Sequence, residues 1–106
     1  MIDETAIARV VELLRESANP KRIILFGSHA RHDARADSDI DLLVVVERTP
    51  DRLAEMVRLT RVLSPLRIPV DVLVVNEETY RYWSDTPGNV YATARTEGRV
   101  LYEQAA

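Results

Sequence analysis

A chain of 106 residues with 46% hydrophobic side chains is long enough for one compact domain with a core and too short for two, so residues 1–106 are expected to form a single domain. Fourteen basic residues against seventeen acidic ones leave a net charge of −3, which argues against an extended nucleic-acid footprint. Cysteine is absent, so disulfides, thiolate metal sites and cysteine nucleophiles are excluded, and the remaining oxygen and imidazole ligands suit hard cations such as magnesium.

The basic residues are thirteen Arg and the single Lys21, a bias toward the side chain that contacts phosphate or carboxylate with two parallel bonds. Met1-Ile2-Asp3-Glu4 lacks the basic start and apolar stretch of a secretion signal. No apolar run approaches the ~18 residues of a spanning helix. A soluble, cytoplasmic protein without a membrane partner is expected.

Ile7, Val10, Val11 and Leu14 repeat at the spacing of an amphipathic helix over residues 5–16, which Asn19-Pro20 ends. Ile23 to Phe26 is short and wholly apolar, the pattern of a strand buried on both faces, and Gly27 closes it. A polar segment, 28–38, separates it from a second strand over residues 39–46. Thr49-Pro50 reads as an N-cap and first turn of a helix whose apolar side carries Leu53, Met56, Val57 and Leu63. Pro65 and Pro69 bracket its exit into a third strand, 70–75, apolar except for Asp71. Strand, helix, strand predicts a parallel, right-handed crossover. Asn76 is the expected cap of a short helix through Tyr82. Pro87-Gly88 precedes a last helix over Val90 to Glu97, with Gly98 as its C-cap. Residues 99–102 read as an edge strand and 103–106 as a tail.

The chemistry concentrates in three short segments. Side chains alternate along a strand, so Asp39 and Asp41 point the same way with Cα atoms roughly 6.6 Å apart. Carboxylates at the mouth of an apolar strand are costly unless a cation or hydrogen bonds compensate them. If the second and third strands are parallel neighbours, Asp71 joins them at the same sheet end. Two-metal phosphoryl transfer, with ions about 3.5 to 4 Å apart, needs such convergent carboxylates. Gly27 permits close approach of the backbone to a phosphate, and Ser28 opens a segment whose N–H groups suit an anion. Arg31 has two readings, a phosphate contact or an ion pair with Asp33 or Asp37.

Rival motifs fail on inspection. Asp37, Asp39 and Asp41 imitate the start of an EF-hand loop, but its sixth position is Leu42 and its twelfth Arg48. No lysine follows Gly27, Gly88 or Gly98, so there is no P-loop. The plainer alternative makes Asp37 and Asp39 turn and capping residues and Asp71 a satisfied acid. His29 and His32 read as exposed helix residues more readily than as ligands or bases. Tyr80, Tyr82 and Trp83 read as core packing, with a partner anchor as the alternative.

Gly27-Ser28-His29-Ala30-Arg31, Ser38-Asp39-Ile40-Asp41-Leu42 and Val70-Asp71-Val72 together resemble the minimal nucleotidyltransferase (MNT) domains of the DNA polymerase β superfamily. The resemblance runs from residue 1 to about 102 and includes the ending Glu97-Gly98-Arg99-Val100-Leu101-Tyr102. It implies the polymerase β-like nucleotidyltransferase fold, an α/β (α+β) arrangement with a small mixed sheet flanked by helices. It also implies that Gly27 and Ser28 hold the triphosphate while Asp39, Asp41 and Asp71 bind two Mg2+ ions. Members transfer a nucleoside monophosphate from a nucleoside triphosphate, here expected to be ATP, to a hydroxyl and release pyrophosphate. Many short members act as antitoxin to a HEPN-domain ribonuclease toxin, some by adding AMP to a toxin tyrosine, and this chain looks like one of them. Family members commonly carry glycine where this chain has His32. Two other functions are weighed beside it: a non-catalytic antitoxin that masks a HEPN partner, and a freestanding transferase acting on a small molecule. Homo- or hetero-oligomeric assembly is left open.

Overall fold

The computed structural model of the chain describes residues 3–35 and 37–105. Met1 and Ile2, Ala36 of the polar segment and Ala106 of the expected tail lie outside them. Helix α1, Glu4–Ala18, starts where the Asp3 carboxylate accepts the Ala6 N–H, and ends at Asn19 in the left-handed region. Its predicted stripe is the buried one: Ile7, Val10 and Leu14 face inward.

Four strands follow the apolar runs: β1 Arg22–Phe26, β2 Ile40–Val46, β3 Val70–Asn76 and β4 Arg99–Glu103. They form one mixed sheet in the order β3-β2-β1-β4. β2 and β3 are parallel, as the strand-helix-strand pattern predicts, and β1 is antiparallel to both β2 and β4. Alternation along the strands sends Ile23, Leu25, Leu42, Val44, Val72 and Val74 to one face. There they pack with α1 and with helix α3, Arg52–Leu63, through Leu59 and Leu63. Ile24, Leu43, Val45 and Val75 point to the other face, beneath α4 (Glu77–Trp83) and α5 (Val90–Glu97). β1 and β2 are thus buried on both faces, which explains why their sequences hardly alternate.

Several expectations shift. α3 is capped by Asp51, whose carboxylate accepts the Ala54 N–H, instead of by Thr49. An ionised acceptor also favours the positive end of the helix dipole. Starting two residues later, α3 turns Leu59, Leu63 and half-buried Met56 to the sheet, and Leu53 and Val57 end 65% and 52% exposed. At about 100° per residue, Val57 lies nearly opposite Leu59. β2 begins at Ile40, leaving Asp39 just outside the strand. Gly98 does end α5, but with φ −80 it is extended. Glycine serves there for close approach, since a Cβ would meet Ile24 Cγ2 at 2.7 Å and Leu25 O at 2.9 Å. Glu103 belongs to β4, and the Gln104 N–H bonds Lys21 O, so the tail is shorter than expected.

At the sheet end where β2 and β3 finish, Arg22 Nη1 lies 2.7 Å from Glu77 Oε1, which Arg81 Nε also meets at 3.2 Å. This pairing pins α4 to β1.

A short helix, α2 (Ser28–Arg31), ends at His32 with φ 63 and ψ 26, a left-handed position that few residues besides glycine take, although His, Asn and Asp do so more often than the rest. His32→Gly is expected to stabilise the fold by about 0.5 kcal/mol, the strain relieved less the entropy that glycine adds to the unfolded chain. Urea denaturation of the two proteins measures it, and a less stable variant would show that the His32 side chain contributes contacts of its own.

Candidate functional site

The end of β1, the start of β2 and the start of β3 meet at one edge of the sheet. Phe26 pairs with Asp41, and Asp41 pairs with Asp71. Directly paired residues share a face, so the row Phe26, Asp41, Asp71 crosses three strands on the side that carries α4 and α5. Asp39 stands just before β2, close enough for its charge to act on Asp41. Asp39 and Asp71 are exposed and Asp41 is half-buried.

This clustering perturbs the acid in the middle. Burial, then the charges of Asp71 and Asp39, raise the Asp41 pKa above its ordinary value, and His29 and Arg31 pull it partly back. The carboxylate also lies against the chain just after β1. Gly27 has φ 76 and ψ −157, and a Cβ there would overlap Asp41 Oδ2 and stand 3.1 Å from its Cγ. Gly27 is therefore required by conformation and by space, and the space is taken by a site residue.

Ser28 is the first residue of α2 and is half-buried, while the Ala30 and Arg31 N–H groups return to Gly27 O. Arg31 makes the ion pair that was one of its two readings, with Nε 3.3 Å from Asp33 Oδ2. Among the described residues no three His, Asp or Glu side chains form a ready-made metal cluster. Asp39, Asp41 and Asp71 bring hard oxygen donors, the kind a hard divalent ion takes, close enough for the Asp39 and Asp71 charges to act on Asp41, with His29 and Arg31 as the nearby opposing charges.

His32 is exposed, as expected, but His29 is not. Its Nε2 lies 3.1 Å from Ser38 O, a contact across the polar segment that has no periodicity and no spacing rule to announce it. The aromatic trio divides: Tyr80 is buried in the core, whereas Tyr82 and Trp83 are 70% and 44% exposed and meet edge to face with centroids 4.9 Å apart. Cavities of about 600 and 520 Å³ flank Glu77 at the opposite end of the sheet. Asp39, Asp41 and Asp71 line neither, and a third cavity of about 630 Å³ reaches His29 and His32.

The family model described as "Polymerase beta, Nucleotidyltransferase" matches residues 8–105. A Methanocaldococcus jannaschii protein named "Putative protein adenylyltransferase MJ0604" is 34% identical over 107 residues, covering 96% of this chain and all of the relative. A chain of a toxin-antitoxin crystal structure with AMP-PNP superposes with a TM-score of 0.65 and 27% identity, over 97% of this chain and 75% of that one. A chain from a complex of tri-AMPylated Shewanella oneidensis HEPN toxin with MNT antitoxin superposes with a TM-score of 0.63 at 23% identity, over 97% and 74%. The mixed sheet, the in-register carboxylates and a family match over nearly the whole chain agree, and the chain belongs to the polymerase beta nucleotidyltransferase family.

Proposed function

We propose that this chain is an antitoxin that transfers AMP from ATP to a tyrosine hydroxyl of a HEPN-domain partner. The observation that carries the reading is the pairing of Asp41 with Asp71, with Asp41 directly against Gly27 and the Asp39 charge beside it. Support for the donor and the acceptor comes from the relative named as a protein adenylyltransferase, the ATP analogue in one similar structure and the AMPylated HEPN toxin in another.

In this reading Asp39, Asp41 and Asp71 would hold two Mg2+ ions, which when bound would neutralise triphosphate charge and acidify the attacking hydroxyl. Gly27 lets the backbone approach the triphosphate, and Ser28 offers it a hydroxyl and an N–H. Arg31, exposed and bonded to Asp33 through Nε, keeps guanidinium donors for a phosphate oxygen. The acceptor oxygen forms a bond to the α-phosphorus, the bond from that phosphorus to the bridging oxygen breaks, and pyrophosphate leaves. Asp71, exposed at the rim, takes up the hydroxyl proton.

A second reading, neutralisation by binding alone, draws on Tyr82 and Trp83, since exposed aromatic pairs anchor protein interfaces. One experiment separates the two. The chain is incubated with magnesium and each of the four nucleoside triphosphates, with and without a HEPN protein of the same source, and intact masses are read. A partner gaining AMP units, and gaining none with Asp39→Asn, establishes the transferase. A stable complex of unchanged mass establishes the masking antitoxin.

A further inference from the structure

Asp39 is the one member of the aspartate set that no strand holds, because β2 starts one residue later. Its position is set by its two neighbours. On the β3 side, the Ile40 N–H donates to Pro69 O at 2.8 Å. On the other side stands Ser38, which is bonded three times. Its N–H donates to Arg35 O at 3.0 Å, its Oγ accepts the Arg35 N–H at 2.8 Å, and its carbonyl faces His29 Nε2 at 3.1 Å. The first two bonds are local, linking Ser38 to Arg35, and the third links Ser38 to His29 of α2, the element that begins at Ser28.

A carbonyl only accepts, so the bond requires hydrogen on Nε2. We infer that His29 is a positioning residue: its Nε2–H, donated to the Ser38 carbonyl, holds the Asp39 carboxylate at a set distance from the Gly27-Ser28 turn. The inference rests on the proposed function in that Asp39 is taken as a metal ligand and Gly27-Ser28 as the triphosphate contact. The imidazole then ties the segment that carries Asp39 to α2, in addition to the β1–β2 pairing that sets Asp41 against Gly27. The half-burial of His29 favours the bond, since competing water is partly excluded.

The test compares His29→Phe, which keeps a ring and loses the donor, with His29→Gln, whose amide nitrogen restores a donor near the same place. Two quantities are read: the backbone amide signal of Asp39 by NMR, and the affinity for Mn2+ with a non-hydrolysable ATP analogue by calorimetry. His29→Phe is expected to shift and broaden the Asp39 signal and to weaken manganese–analogue binding about fivefold, the size of one hydrogen bond. His29→Gln is expected to recover both. An unmoved Asp39 signal, unchanged affinity in His29→Phe, or equal losses in both variants would overturn the clamp, the last by showing that the ring matters only for packing. A wild-type chain that binds no manganese–analogue would instead overturn the proposed function, so the two failures are told apart.

Discussion

Asp41→Asn is expected to lower AMP transfer by about three orders of magnitude and, in the same protein, to raise the unfolding temperature at neutral pH. The first effect follows from removing a central metal ligand, since the metals supply several kcal/mol of transition-state stabilisation and every 1.36 kcal/mol is tenfold in rate. The second follows from the sign of the Asp41 shift. Its folded pKa lies above the ordinary 3.8 because of burial and then of Asp71 and Asp39. The ionised form is therefore disfavoured in the folded state, and the penalty develops as pH rises from 3.8 through the folded value and stays in full above it. Asparagine removes that penalty at neutral pH. Below pH 3.8, where Asp41 is protonated folded or unfolded, the advantage of the variant should vanish. Thermal unfolding from acid to neutral pH measures this, and magnesium with ATP should narrow the gap by stabilising the wild type selectively. A variant less stable than wild type at neutral pH would contradict the electrostatic account.

Gly27→Ala is expected to damage both fold and site. With φ 76 and ψ −157, the residue occupies a region essentially reserved for glycine, and a side chain there costs about 2 kcal/mol. The added Cβ also falls on Asp41 Oδ2, so the carboxylate must move. A displacement on the order of 1 Å at reacting groups costs about a hundredfold in rate. Gly88→Ala is the matched control: φ is 96 there and a Cβ meets nothing within 4 Å. It should show backbone strain without loss of transfer. Equal activity losses in the two variants would mean that the Gly27 defect is one of stability alone.

How far the fold could be read in advance depended on how local its causes are. The α1 stripe of Ile7, Val10 and Leu14, the Asn76 cap and the limits of Val90–Glu97 arise from neighbours three or four residues apart, and all were legible. The parallel partnership of β2 with β3 was legible because a helix-length stretch separates two apolar runs. The buried side of α3 was not, since two apolar stripes compete on that helix and the choice between Val57 and Leu59 is made by the sheet. Of the candidate site, Gly27, Ser28 and the three aspartates stand out by residue type and spacing. Their register could only be conditional on the pairing of strands. The His29 to Ser38 contact had no signal at all, because a side chain reaching a backbone carbonyl nine residues away leaves no mark on composition or period. Of the two readings of the aromatic trio, core packing holds for Tyr80, which α4 turns toward the sheet, and not for exposed Tyr82 and Trp83.

The pairing of β2 with β3 runs without interruption from Ile40 and Val70 to Val46 and Asn76. It works as a ruler with a site mark at one end and a helix start at the other. Sliding one strand by a single residue would turn Asp71 to the face covered by α1 and α3 and bring apolar Val70 or Val72 opposite Asp41. The same slip would carry the Asn76 cap of α4 out of place, so the chemistry and the packing of the far end cannot drift separately. Insertions and deletions accumulating in descendants of this chain would therefore be confined to the stretch between the two strands and to the surface loops, while the lengths of the strands themselves stay frozen.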